Sequence, residues 1–431
     1  MPGSGPEDRV MWRISKDRRI DQIVVYAHPA EGPAPMGLLS FEGSGIRRLS
    51  LFRYAKSWLG REDRFAVDPT ILPLRSSSFN GLPYEVPLPF YDSAPDGWGK
   101  SIIAAAYPNQ TFGMGEYLAA VGEERTGELS FGPTPDSGPM RWLPDEQPLL
   151  VLPSEEDTLH ELLTAAEAVE AGQASNRHLQ RLFRGSADQG GARPKASLLH
   201  AGHLHMAKFP AAGDRFEDPK VEASCLSLAA AAGIETPYHF TKRVGDRTVL
   251  LVRRFDRQGN RTRLGYSSAG TMLAADPFQF YATFTYMDLA RRAQLSGVQP
   301  CWQELFRRML FNCFIHNTDD HLRNHGFIRQ DGRWRLSPVF DLSVHEPQRL
   351  VLAPARGISP EANPAIAFQA HPHFGMSRTE AEAVYEEIVA AMARLREFLD
   401  HYEVTQRDRK TLAAIWVHAL NPPALLPGPT H

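Results

Sequence analysis

Asp319, Asn324 and Asp341 are residue types that phosphoryl transfer requires, and they stand in the order it requires them. That chemistry needs a carboxylate to accept the proton of an attacking hydroxyl. It also needs hard oxygen ligands to hold Mg²⁺ against the phosphates while charge spreads over the transferring group. The run His316-Asn317-Thr318-Asp319-Asp320-His321-Leu322-Arg323-Asn324 supplies a carboxylate and, five residues on, an amide oxygen. Ser337-Pro338-Val339-Phe340-Asp341 supplies the second carboxylate. Asp319 is therefore the candidate base, and Asn324 and Asp341 are the candidate metal ligands.

These residues need elements to bring them together. Gly326-Phe327-Ile328, then Gln330-Asp331-Gly332, then Arg333-Trp334-Arg335-Leu336 reads as strand, Asp-Gly turn, strand, which would return Asp341 beside Asn324. Upstream, Trp302, Leu305, Phe306, Met309, Leu310 and Cys313 recur with helical period, so a buried helix is expected to deliver the loop. Reading Asp319, Asp320 and Asn324 as turn and capping residues explains a polar loop but leaves Asp341 unaccounted for. His316, His321, His325 and His345 raise the alternative of zinc. Against zinc, Leu322 follows His321, so HExxH is absent, and Asn324 is a poor zinc ligand. His321 is expected instead to act as a neutral group orienting the catalytic loop.

The run Asn317-Thr318-Asp319-Asp320-His321-x-x-Asn324, with Ser337-Pro338-x-x-Asp341, resembles the HipA family of bacterial serine/threonine protein kinases. The resemblance implies an α+β, bilobal protein-kinase-like fold with a β-rich N-terminal region and a mostly α-helical C-terminal lobe. It implies ATP and Mg²⁺ as cofactors and a protein substrate, such as an aminoacyl-tRNA synthetase or another translation protein. It also implies toxin behaviour held in check by a small HipB-like DNA-binding antitoxin.

Four upstream segments extend the resemblance. In Gly185-Ser186-Ala187-Asp188-Gln189-Gly190-Gly191-Ala192-Arg193-Pro194-Lys195, the glycines let backbone N–H groups approach phosphates while Arg193 and Lys195 add positive charge. Gly190, Gly191, Ala192, Arg193 and Lys195 are accordingly candidate nucleotide-binding residues. Lys208 ends the strand-like run Leu204 to Lys208, where period-two alternation would put Leu204, Met206 and Lys208 on one face; the family resemblance makes it the nucleotide-contacting lysine. Glu222 sits in a helix expected from Asp218 as N-cap to Gly233, and turned inward it could pair with Lys208. Arg253 and Phe255 lie in Arg-Phe-Asp-Arg, which resembles the family's strand-to-hinge segment that meets adenine through its backbone. Two departures stand out. Arg253 replaces a glutamate that some members carry, and Asp188 occupies the place of a regulatory serine. Autophosphorylation is thus expected at Ser186 or not at all, and the charge of Asp188 could in part mimic the modified state.

The remaining chain is less pointed. Ala94-Pro95-Asp96-Gly97-Trp98-Gly99-Lys100-Ser101 nearly matches a P-loop, but Ala94 replaces its first glycine and Pro95 removes an N–H donor. With 431 residues, 42% hydrophobic and 23% charged, the chain can bury several subdomain cores, and its net charge of −3 argues against nucleic-acid binding by bulk charge. Its three cysteines lack metal spacing, and the apolar runs fall short of a membrane span, so a reduced, cytoplasmic setting is expected, which the family resemblance makes a bacterial one. The Pro- and Gly-rich stretch from Pro133 to Pro148 reads as a linker. The expected organisation is a β-rich subdomain at 1–135, a linker at 136–150, a small lobe at 151–256 and a helical catalytic lobe at 257–431. Within it, residues 20–28 and 36–42 alternate like a hairpin, Glu155 to Arg184 reads as helical, Ser377-Arg378-Thr379-Glu380 is a capping box opening a helix through Leu399, and Arg407 to Leu420 makes another. Two other functions stay open: a pseudokinase that binds nucleotide as a regulator, and a small-molecule phosphotransferase.

Overall fold

A computed structural model describes residues 12–43, 48–144, 158–185, 191, 193–259, 262–279 and 284–425. Its contacts divide the chain into two compact units, Met1–Leu198 with Asp256–Gly265, and Leu199–Phe255 with Tyr266–His431.

The first unit is built on an antiparallel sheet in the order Phe79–Asn80, Leu49–Tyr54, Ala34–Glu42, Gln22–Ala27, Ser130–Gly132. Its Gln22–Ala27 strand is buried on both faces, as its unbroken apolar run Ile23-Val24-Val25-Tyr26-Ala27 suits. The hairpin expected over 20–28 and 36–42 is present, with a register shift between Val25 and Tyr26. Gly37 is required there, since a Cβ at that position would stand 2.6 Å from the Phe52 ring. Rings of Phe52, Tyr54, Phe79, Phe90 and Phe131 fill the core beneath.

Part of the stretch read as a linker belongs to this unit. The Met140 N–H donates to the Phe131 carbonyl (2.9 Å) and the Trp142 N–H to that of Ala119 (2.8 Å), and the Trp142 ring is buried in the core. Pro and Gly content conceals the large apolar area that one indole brings. Residues 145–157 lie outside the described residues. The helix expected from Glu155 to Arg184 is two, Thr158–Glu170 and Asn176–Gly185, because Gly172, at φ +67°, ends the first. The near-P-loop opens the helix Gly97–Ala106, where Trp98 donates its N–H to the Gly191 carbonyl (2.8 Å) and its indole N–H to that of Lys195 (3.1 Å).

In the second unit, Arg247–Arg253 is the central strand, antiparallel to His203–Lys208 on one side and His239–Val244 on the other. Helix Asp218–Ala231 packs on this sheet and on the helices Arg378–Met392 and Leu395–His401. One apolar cluster therefore joins Leu226, Leu250 and Val252 to Leu305, Leu310 and Ile388. For that reason the strands assigned to a small lobe share a unit with the helices, and the contact division follows different limits from the composition-based segments. The helix after Glu217 begins one residue earlier than expected: Asp218 is its first residue rather than its cap, and Gly233 follows it at φ +76°.

Helix Trp302–Ile315 forms where the stripe indicated, but it is buried nearly all round, including Arg308 and Asn312. Ser377 caps Arg378–Met392 in a capping box with Glu380. The long helix expected to Leu399 stops at Met392 and resumes as Leu395–His401. The one expected from Arg407 to Leu420 breaks at Trp416, whose buried indole N–H donates to the Ile315 carbonyl (2.8 Å). Burial of that ring outweighs helix continuity, since a fully buried large side chain is worth roughly 1.5–3 kcal/mol. No helix among the described residues is long and apolar enough to cross a membrane.

Candidate active site

Helix Trp302–Ile315 ends at His316 in the left-handed region (φ 56°), and the Asn317 N–H turns back to the Asn312 carbonyl (2.9 Å). His316 is fastened to the His345 carbonyl by Nδ1 (2.6 Å). In the loop that follows, Asn317, Thr318 and Asp320 are buried, whereas the Asp319 side chain is 49% exposed. The next backbone carbonyls are held by side chains five residues on. Asn324 Nδ2 donates to the Asp319 carbonyl (2.8 Å) and His325 Nε2 to that of Asp320 (3.3 Å). The Asp319–Asn324 spacing thus closes the loop on itself, and the Asn324 nitrogen is committed to it, making Oδ1 the atom able to meet a cation.

The hairpin Gly326–Gln330 and Arg333–Leu336 is present, pairing Phe327 with Leu336 and turning at Asp331 (φ 50°) and Gly332 (φ 74°). A Cβ at Gly326 would stand 2.6 Å from the Tyr266 ring, so only glycine fits at its base. Arg308 donates to the Ser337 carbonyl (2.8 Å) and so fixes the segment leading to Asp341. Asp341 itself is held at φ 56°, a conformation that costs a non-glycine residue about 1 kcal/mol or more.

Lys208 meets both remaining carboxylates: Nζ is 2.6 Å from Glu222 Oε1 and also donates to Asp341 Oδ1. Burial opposes the ammonium charge, but Asp341 and Glu222 outweigh it, and the lysine pKa is raised. The face expected for Lys208 is not the drier one, since His205 and Ala207 are buried more deeply than Met206 and Lys208. Lys208 is there for its carboxylate partners, not for an apolar face.

Asp320, read from the sequence only as part of the motif, is the most deeply buried acid of the loop, at 1% exposure. Its Oδ1 accepts the N–H groups of Val351 (2.6 Å) and Leu352 (3.4 Å), and its Oδ2 accepts the Tyr286 hydroxyl (2.7 Å). Burial pushes its pKa up to about 7 against the pull of these donors. Asn312 Nδ2 donates to the same hydroxyl (2.9 Å), and Asn312 Oδ1 accepts from Asn317 Nδ2 (3.1 Å). Tyr286, Asn312 and Arg308 were missed by motif reading. The available signal was an arginine and an amide, four residues apart, standing among the apolar residues Met309, Leu310 and Phe311.

Other expected residues fall as follows. His321 Nε2 stands 3.9 Å from Asp319 Oδ2, beyond hydrogen-bond range, while Asn324 and His325 hold the carbonyls of Asp319 and Asp320. The N–H groups of Arg253 and Arg254 are spent on the carbonyls of Tyr238 (2.8 Å) and Leu204 (2.9 Å), which removes two donors from the expected adenine contact. The Phe255 ring lies 5.5 Å from that of Phe340. Gly191, Arg193 and Lys195 belong to the first unit, with Gly191 at φ +82°. Ser186, Asp188, Gly190 and Ala192 lie outside the described residues.

The donor set suits a hard cation: one amide oxygen and one carboxylate, with no group of three His, Cys, Asp or Glu side chains suited to a metal among the described residues. His325 is buried and its pKa is pushed down to about 3, mainly by that burial. Cys225, Cys301 and Cys313 are buried free thiols.

A family model of the HipA N-terminal domain matches residues 32–132, and one of the HipA-like C-terminal domain matches residues 187–395. Among solved structures, a chain of the HipA, HipB and operator DNA complex of the Shewanella oneidensis MR-1 toxin–antitoxin system aligns with a TM-score of 0.63 at 16% identity. That alignment covers 92% of this chain and 96% of that one, and it shows a shared fold. The Helicobacter pylori proinflammatory kinase CtkA aligns with a TM-score of 0.36 at 13% identity, over 54% of this chain and 93% of that one. No curated protein sequence matches.

Proposed function

The chain belongs to the HipA family, and we propose that it is an ATP- and Mg²⁺-dependent serine/threonine protein kinase. Asp319 accepts the proton of a substrate hydroxyl. The hydroxyl oxygen bonds to the γ-phosphorus as the bond to the β–γ bridging oxygen breaks, and ADP leaves. Lys208, oriented by Glu222, neutralises the nucleotide phosphates. Asn324 and Asp341 would hold Mg²⁺, which supplies charge neutralisation to the β- and γ-oxygens. The observation that carries this reading is Lys208 paired with Glu222 at 2.6 Å while also meeting Asp341, three residues far apart in sequence joined at one ammonium.

The acceptor is a protein hydroxyl, with a translation protein such as an aminoacyl-tRNA synthetase as the class to test first. The Shewanella HipA chain lies in a complex with HipB and DNA, and a small HipB-like DNA-binding protein is the partner proposed here. With a net charge of −3, this chain gains little from direct contact with nucleic acid.

The test is transfer from γ-labelled ATP with Mg²⁺, comparing the native protein with Asp319→Asn and mapping any modified residue by mass spectrometry. Label on a protein hydroxyl with native enzyme, reduced roughly 10²–10⁴-fold in the variant, is the expected result. Label on small alcohols alone makes the protein a small-molecule phosphotransferase. Nucleotide binding with no transfer makes it a pseudokinase.

A further inference from the structure

We propose that Asp320 is the positioning residue of the catalytic loop, acting through Tyr286 and the Val351 and Leu352 amides to fix the backbone that presents Asp319. The proposal rests on the phosphoryl-transfer reading and adds a device to it. Asp319 and Asp320 are neighbours with opposite surroundings, one 49% exposed and the other 1%. In an extended loop adjacent side chains point apart, so seating Asp320 inward turns Asp319 outward.

A hydrogen-bond circuit brackets the four residues 317–320. Asn317 donates to Asn312, Asn312 donates to Tyr286, and Tyr286 donates to Asp320. Both ends of the segment are thereby tied to one point in the core, with Asp319 lying between them. Asp320 Oδ1 adds a second anchor, to the segment at Val351 and Leu352. That segment is itself registered on Tyr286, whose N–H donates to the Ala353 carbonyl (3.0 Å). The four residues Asn312, Asn317, Tyr286 and Asp320 are all buried, where such bonds are stronger and a missing partner costs more. A turn-stabilising aspartate would need only local backbone donors. This one draws on a helix and a strap roughly thirty residues away on either side (286 and 351 against 320).

Tyr286→Phe cuts the circuit at its middle without touching the loop or its acceptor-facing residues. Full-length native and variant proteins are compared in two ways: kcat and KM for ATP in phosphoryl transfer, and hydrogen–deuterium exchange of peptides covering 316–325, 350–354 and 378–392. The expected result is a kcat loss of about 10–100-fold with KM changed less than about threefold, the scale of a misplaced reacting group. Exchange is expected to quicken in the first two peptides and not in the third. Asp320→Asn, which keeps an acceptor for Val351 but offers Tyr286 a donor in place of an acceptor, should fall between native and Tyr286→Phe in kcat. Unchanged kcat in a variant with a loosened loop overturns the proposal. So does faster exchange in all three peptides, which marks a residue that holds the unit together and nothing more specific. Native protein that binds ATP and transfers nothing overturns the kinase reading and this one together, and is told apart by its own silence.

Discussion

Each unit holds a cluster of charge, and the two differ in how deeply the charge is buried and in the backbone that carries it. In the first unit Asp256 and Arg257 pair at 2.7 Å with both side chains 5% exposed. Backbone groups finish the job: the Gly127 N–H donates to Asp256, and Arg257 donates to the carbonyls of Arg125, Glu123 and Gly127. In the second unit one ammonium faces two carboxylates, one of them 36% exposed on a residue at φ 56°. A charge buried with its bonds filled by the chain is scaffold, because nothing remains with which to meet a ligand. A partly exposed carboxylate on a strained backbone is placed differently, and strain of this kind gathers at functional sites.

The comparison can be broken at either end. Asp341→Asn should reduce phosphoryl transfer by roughly 10³-fold, the scale of losing a carboxylate that would hold the cation neutralising the transferring phosphate. Its melting temperature should stay close to native, so a melting loss like that of a core mutant would erase the distinction. Asp256→Ala should do the reverse, destabilising the first unit by about 3–5 kcal/mol because Arg257 is left buried without its counter-charge. Denaturant unfolding of the full chain reads this directly, and a loss under about 1 kcal/mol would mean the pair is no scaffold.

Acid sharpens the contrast inside the second unit. Folding pushes Asp320 up to about 7 from an ordinary 3.8, so between those values the folded protein holds a proton that the unfolded chain lacks, and this group's contribution to stability falls as pH rises. His325 runs the other way. Burial, then the Arg308 charge, push it down to about 3 from 6.5, so its contribution is lost as pH falls through that window. The two offset one another between about pH 4 and 6.5. Tyr286 and Cys313, which face Asp320, are both raised by burial and silent in that range. Asp320→Asn removes one side, so its stability should fall more steeply on acidification than that of the native protein, and parallel curves would refute the assignment. The smallest effect is expected from Glu222→Gln. Lys208 keeps Asp341 as a partner, and transfer should drop about tenfold, or ~1.4 kcal/mol.

Some of this was legible in residue order. The helix Trp302–Ile315, the hairpin after Asn324 and its Asp-Gly turn follow from local period and turn chemistry, and they appear where expected. Other elements failed for stated reasons: helices broke at Gly172 and Trp416, and Trp142 drew a proline-rich stretch into a core. Local rules weigh each residue against its neighbours in sequence, and these outcomes were decided by burial against partners far along the chain.

The site divides the same way. Sequence by itself determined the chemical inventory, with Asp319, Asn324, Asp341, Lys208 and Glu222 as the charged and amide groups and the family that uses them, because side-chain identity and short spacing are local properties. Tertiary structure alone decided that Lys208 meets both Glu222 and Asp341. It also decided that of two adjacent aspartates Asp319 faces out while Asp320 is sealed against Tyr286. The physical reason is that a carboxylate's role depends on which donors surround it and how much water reaches it, and both are set by packing between segments that the sequence keeps far apart.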